Sequence, residues 1–285
     1  MKIKFSSDST CDMPKHFVQE FDVSILPLIV TLGENEYLDG VNVQPDDLYA
    51  YVKQSGNLPK TAARSVDAYK QYFLKLLKKA DVVVHCGIGA KLSACYENAC
   101  AAAREIGEDK VIVVDSKALS VGISLVILSG ASAYRAGASL QEVVENMKNA
   151  ADNVQSSFVV DRLDYLHKGG RCSKFTFSVA TFLRIKPRLE VVDGLLINTG
   201  KEVGPYKSVV LKYVDAILKK YDKPRKDLCL IAHTKMDESI VNSVVEYLKS
   251  KNIFEHIEVT YAGSVITSHC GEGTLGILYI NDGKN

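Results

Sequence analysis

Residues 80–116 read ADVVVHCGIGAKLSACYENACAAAREIGEDKVIVVDS, and this stretch decides the fold. ADVVVHC and KVIVVDS are continuous apolar runs, as expected of strands covered on both faces. Between them, LSACYENACAAAREIG reads as a helix. A strand, a helix and a second strand in that order imply a parallel pair joined by a crossover.

The same alternation extends towards the N-terminus. Ile3–Ser7 reads as a strand running into the turn DSTCDMP (8–14), where Asp12 is placed to cap a helix with Pro14 in its first turn. SILPLIVTL (24–32) reads as one strand and GEN (33–35) as a turn. PDDLYAYVKQS (45–55) reads as a short helix with acidic residues in its first turn, and GNLPKTAARS (56–65) as a loop. Tyr69, Tyr72, Phe73, Leu76 and Leu77 recur at helical spacing and predict an amphipathic helix over 66–79. Two further helices are expected near 119–136 and 139–152. The longest uncharged stretch, Ala118–Tyr134, is short for a membrane span and diluted by Ser and Gly, so it is read as a buried core helix.

Beyond residue 154 the pattern changes. SSFVVD (156–161) reads as a strand, LDYLHKGG (163–170) as a short helix ending at glycine, and SKFTFSVATFLRI (173–185) as another helix. PRLEVVDGLLINTG (187–200) reads as a hairpin turning at Asp193-Gly194. A helix near 207–221, the strand DLCLIAHT (227–234), the helix DESIVNSVVEYLKS (237–250) and the strands HIEVTYAG (256–263) and LGILYIN (275–281) complete the chain. The expected fold is α/β with two domains. Residues 1–154 would form an N-terminal domain with a mostly parallel sheet and flanking helices. Residues 155–285 would form a C-terminal domain with a mixed sheet and helices. No flexible linker separates them, so close packing is expected.

The 285 residues are 47% hydrophobic and 24% charged, which fits a globular chain. Lys plus Arg number 35 against 34 Asp plus Glu, a net charge of +1, so the balance points to no nucleic-acid partner. Seven cysteines, an odd count without a CxxC, sit largely in apolar runs and are read as free thiols of a reducing compartment. The N-terminus shows no apolar run long enough for a signal peptide, so a cytoplasmic location is expected.

Several motifs suggest chemistry and need weighing. GIGAKLS (87–93) follows a strand and opens a helix, like a dinucleotide fingerprint, but Leu92 stands where the third glycine belongs. GEGTLG (271–276) matches the fingerprint by letter, yet a strand follows it instead of a helix. His85–Cys86 and His269–Cys270 have no neighbouring ligands at metal spacing, and both read as strand-end side chains. KGGRCS (168–173) sets two glycines beside Arg171, so that backbone and guanidinium can approach a carboxylate or phosphate, although taken alone a helix C-cap with a solvated Arg is the commoner use of such a stretch. Thr61 lies on a loop before a helix. Ser93 lies at a helix N-terminus, where free N–H groups favour an anion. Each is more often an ordinary cap; together the hydroxyls, the Arg and a His would make a modest anion pocket.

Taken in order, the motifs resemble the DegV family of bacterial fatty-acid-binding proteins. They are DSTCDMP (8–14), TAARS (61–65), LSACY (92–96), VVDS (113–116) with Ser120 and Gly122, LDYLHKGGR (163–171), KPRLEVVDGLL (186–196) and GSVITSHCGEGTLG (263–276). The resemblance spans essentially the whole chain. It implies two α/β domains with one long-chain fatty acid in a buried tunnel and the carboxyl near the domain interface. Thr61 and Ser93 would then hydrogen-bond the carboxyl, with Arg171 and His269 close to the head group. It also implies a carrier that presents the carboxyl to a separate fatty acid kinase and is not itself an enzyme, with no metal and no cofactor beyond the bound lipid. Transient membrane contact is compatible with this role, and a monomer is expected because no apolar surface stripe stands out.

Two alternatives of other classes stand beside the carrier: an acyl- or phosphoryl-transfer enzyme using His269 and Arg171, and a lipid-sensing regulatory protein. The sequence departs from the family pattern near the head group, at Ala62, Ala63, Arg64, Gly89, Ala90, Ala94 and Cys95. GPYKS (204–208) replaces a basic stretch, with Lys201 and Lys207 remaining. Tyr96, Phe158, Phe177 and Phe182 are candidates to line the tunnel, although core packing is the commoner role for an aromatic side chain.

Overall fold

Val82–Gly87 (β6) and Val111–Asp115 (β7) pair in parallel, with Cys86 opposite Val114, and Cys95–Ile106 (α4) makes the crossover between them. Ile3–Asp8 (β1) lies on the other side of β6, and Ser24–Leu26 (β2) lies beyond it. All four strands run parallel, in the order β2-β1-β6-β7. This computed structural model describes residues 1–161, 165–166, 169–170 and 185–283. Of the two helices expected after residue 162, half of the first and all but Ile185 of the second lie outside the described residues, as do Arg171, Phe177 and Phe182.

SILPLIVTL is two strands in two sheets. Pro27 has no N–H to give to a ladder, so β2 stops at Leu26. Ile29–Leu32 (β3) then becomes the centre of a separate antiparallel sheet, between Asn35–Leu38 (β4) and Lys60–Ala62 (β5). β5 lies inside the segment expected to be a loop. Three residues are too few to show an alternation; pairing with β3, Val30 opposite Thr61, makes the strand.

A six-stranded mixed sheet is built from Val154–Val159 (β8), Ile185–Val192 (β9), Leu195–Val203 (β10), Leu228–His233 (β11), His256–Tyr261 (β12) and Leu275–Ile280 (β13). Its order is β10-β9-β8-β13-β11-β12, and only β11–β12 is parallel. The β9–β10 hairpin turns at Asp193 and Gly194, whose φ values of 50° and 75° are those a two-residue type I′ turn requires.

Val121–Arg135 (α5) is the uncharged stretch. It packs against β6 on one side and against β8, β11 and β13 on the other, so it joins the two large sheets through one core. Residues 121–128, Gly130 and Ala131 are all buried, which explains why no polar face is visible in the sequence. Leu140–Asn153 (α6) covers α5 and opens on a capping box between Ser139 and Glu142. Among the described residues, no helix is long and apolar enough to cross a membrane. Cys11, Cys86, Cys95 and Cys229 are buried free thiols, Cys270 is buried and Cys100 is half-buried.

Asp12 does not cap the helix that follows it. Lys15–Glu20 (α1) starts at Pro14 without any side-chain cap. Asp12 takes a left-handed backbone, φ 46°, and turns its carboxyl inward to accept from Ser120 Oγ and Gly263 N–H.

Candidate functional site

The site lies where the small β3–β4–β5 sheet, the start of α4 and one face of the six-stranded sheet meet. A cleft of about 660 Å³, its mouth included, opens here. Leu28, Ile88, Leu92, Leu119, Phe158 and Leu196 make much of its wall. Behind it lies a second, tighter space against β8, β11 and β13. Leu119, Phe158, Ile266 and Cys270 border both spaces, and Phe158 is the bulkiest of the four. The hydroxyls around the rear space are spent on protein partners. Ser157 Oγ pairs with Tyr213 OH, Thr234 Oγ1 accepts from Thr274 N–H, and Thr274 Oγ1 donates to the Cys270 carbonyl. What remains for an occupant is mostly apolar surface.

Three of the expected residues come together at the front of this cleft. Thr61 is on β5, Ser93 is in the turn before α4, and His269 is near the end of a seven-residue helix, Ser264–Cys270 (α9). Thr61 Oγ1 and His269 Nε2 are hydrogen-bonded at 2.8 Å. Ser93 Oγ accepts from Cys95 N–H at 3.2 Å and so caps α4, whose own N-cap residue, Ala94, has no side chain able to do so. Thr61 and His269 also border an outer depression with Lys60, Tyr51, Asn57 and Ser268. The pair therefore stands between a polar exterior and an apolar interior. Arg171 lies outside the described residues, but Gly169, two positions before it, is placed: a Cβ there would come within 2.6 Å of His269 Nδ1. Only glycine lets this segment lie against the imidazole.

His269–Cys270, expected at the end of a strand, is the end of a helix. GSVITSHC is short and rich in β-branched residues, so local propensity gives no helical signal; the helix is held by contacts to Asp12, Asp39, Val43 and Thr61. His85–Cys86 does sit in a strand, β6. His85 is buried between the rings of Tyr69 and Phe73, and its Nδ1 pairs with Ser6 Oγ. Burial pushes its pKa down to about 3, so it is a neutral core imidazole. Among the tunnel candidates, Phe158 lines the cleft. Tyr96 borders neither the cleft nor the space behind it.

Sequence reasoning passed over Asp39 and gave Asp8 no role. Asp8, Asp12 and Asp39 are all buried, and among the described residues none makes an ion pair. Asp8 accepts from the N–H groups of Thr10 and Ile88 and from the Thr10 hydroxyl. Burial raises the pKa of all three, that of Asp12 to about 8, against the opposing pull of their hydrogen bonds. Gly87 is the glycine of GIGAKLS that touches this group: a Cβ on it would overlap the Asp8 carboxylate, at 2.3 Å.

Comparison with known proteins agrees with this architecture along its whole length. The family model described as "Uncharacterised protein, DegV family" matches residues 2–282. A DegV domain-containing protein of Clostridium perfringens is 30% identical over 287 residues, covering 99% of each chain. A fatty acid-binding protein of Thermotoga maritima is 31% identical over 288 residues, covering 97% of this chain and 96% of its own. Among solved structures, a fatty-acid-binding DegV family protein of Thermus thermophilus aligns with a TM-score of 0.87 at 26% identity, over 99% of this chain and 100% of its own. A stearic acid-binding protein of Eubacterium ventriosum aligns with a TM-score of 0.84 at 26% identity, over 98% of each chain. With its family model matched from residue 2 to residue 282, the chain belongs to the DegV family.

Proposed function

We propose that this protein binds one long-chain fatty acid, with the tail in the cleft and running past Phe158 and the carboxyl at Thr61, Ser93 and His269, and that it serves as a carrier. The observation that carries the reading is the double position of Thr61 and His269, which border both the apolar cleft and the outer polar depression. A carboxyl at this boundary meets hydroxyl donors while its tail leaves water. Each buried CH₂ contributes about 0.8 kcal/mol, so most of a sixteen-carbon tail contributes on the order of 10 kcal/mol before ordering costs. Two hydroxyls hold a carboxyl in either protonation state without locking it into a strong ion pair. That suits a head group that must later react.

The same boundary position supports the finer reading, that the carboxyl is offered to a separate fatty acid kinase. The depression outside Thr61 is wide, about 650 Å³, and gives another protein's active site a path to the head group. Arg171 belongs to this proposal as a further head-group residue, two positions after Gly169, which packs on His269.

The test is a titration of delipidated protein with stearate and oleate, repeated on Thr61→Ala and Ser93→Ala. Both variants are expected to bind more weakly, and wild-type affinity in both would refute the site. Loaded protein incubated with a bacterial fatty acid kinase and ATP is expected to yield acyl-phosphate. Turnover of acyl-phosphate by the protein alone would instead favour a transfer enzyme.

A further inference from the structure

Helix α9 belongs to the C-terminal sequence, yet among the described residues its long-range hydrogen bonds run to the first 61 residues. At its N-terminal end, Gly263 N–H donates to Asp12 Oδ1 at 2.8 Å and Ser264 N–H donates to Asp39 Oδ1 at 2.7 Å. Ser264 Oγ donates to the Val43 carbonyl at 3.3 Å. At the other end stands the Thr61–His269 bond. The two carboxyls bracket Gly263: a Cβ on it would lie 3.1 Å from Asp12 Oδ1 and 3.3 Å from Asp39 Oδ2. Asp12 is itself held by Ser120 Oγ at 2.5 Å.

A helix of seven residues cannot hold its own shape or direction, because nucleation is not repaid over two turns. Its orientation is set by what grips its ends. His269 stands about 9 Å along the axis from the gripped end, at 1.5 Å per residue, so a small tilt at Gly263 swings the imidazole away from Thr61. Burying two carboxyls without cations is costly, and each of them spends one of its hydrogen bonds on the start of this one helix.

We propose that Asp12 and Asp39 are positioning residues, which fix the start of α9 and thereby hold His269 against Thr61 at the mouth of the cleft. Ligand binding itself belongs to the carrier reading, on which the second arm of the test rests; the first arm does not depend on it.

In the first arm, imidazole ¹⁵N resonances of His269 are recorded in delipidated wild-type protein and in Asp12→Ala, Asp39→Ala, Asp39→Asn and Gly263→Ala. Both Asp→Ala variants and Gly263→Ala are expected to shift or broaden the His269 signals while leaving those of the core imidazole of His85 in place. Asp39→Asn keeps an oxygen acceptor for Ser264 N–H and is expected to restore the wild-type signals. In the second arm, dissociation of stearate is expected to be roughly tenfold faster in Asp39→Ala, the loss of about one hydrogen bond's worth of restraint, and near the wild-type rate in Asp39→Asn. Wild-type His269 signals in Gly263→Ala and in every Asp→Ala variant that folds would overturn the proposal. Stearate failing to bind any of the proteins would overturn the carrier reading, and the first arm would still decide the role of the two acids.

Discussion

Thr61 and His269, 208 positions apart in the sequence, are joined by a 2.8 Å hydrogen bond that ties β5 to α9. This bond closes the front of the apolar cleft. It also makes the front of the cleft a product of both halves of the chain, because β5 and α9 meet here.

Removing either hydroxyl should therefore weaken lipid retention without unfolding the protein. A neutral hydrogen bond is worth about 0.5–1.5 kcal/mol net. Thr61→Ala and Ser93→Ala are each expected to raise the dissociation constant roughly three- to tenfold, and the double variant more. Equilibrium titration with a fluorescent fatty acid measures this directly.

Phe158 stands between the front cleft and the space behind it. Phe158→Trp adds bulk at that waist, so the protein is expected to retain shorter acyl chains than the wild type. Mass spectrometry of lipid extracted from both proteins decides the point. An unchanged chain-length profile would place the tail elsewhere.

Glu190 is buried on β9 and accepts from Lys220, Tyr221 and Thr199. Burial pushes its pKa up, but those hydrogen bonds outweigh burial and hold it below the ordinary 4.5. With the folded pKa depressed, its contribution to stability is present above the ordinary value and is lost as pH falls through the folded one. Glu190→Gln is expected to cost about 1–3 kcal/mol in urea denaturation at neutral pH, and less as the medium is acidified.

Asp12 has the opposite sign. Burial raises it from 3.8 to about 8, opposed by Ser120 and Gly263 and reinforced by the carboxyls of Asp39 and Asp8. The folded state keeps this proton longer than the unfolded chain does, so stability from Asp12 is complete below the ordinary value and erodes as pH rises towards 8. Melting temperatures of Asp12→Asn between about pH 5 and 8 are expected to fall less with rising pH than those of the wild type.

Much of this was legible in the sequence because the large elements are locally consistent. The apolar runs of β6 and β7, the heavily buried α5 and the Asp193-Gly194 turn each carry their own signal in periodicity, composition or turn chemistry. The site elements do not. β5 is three residues long and exists because β3 lies beside it. α9 is a β-branched heptamer that is helical because two carboxyls and Thr61 hold its ends. Pro27 separates β2 from β3, a signal present in SILPLIVTL that its unbroken hydrophobicity hid. Asp12 looked like a helix cap because capping is the commonest use of Asp before Pro; its left-handed backbone turns the carboxyl to a partner 251 positions away, beyond the reach of any local rule.

The central claim is that the cleft behind Thr61 and His269 holds a fatty acid, and native mass spectrometry of the purified protein tests it most directly. A stoichiometric adduct of fatty-acid mass is expected, released on solvent extraction and diminished in Thr61→Ala. A protein that is ligand-free as isolated, and that stays ligand-free after incubation with stearate and oleate, would contradict it.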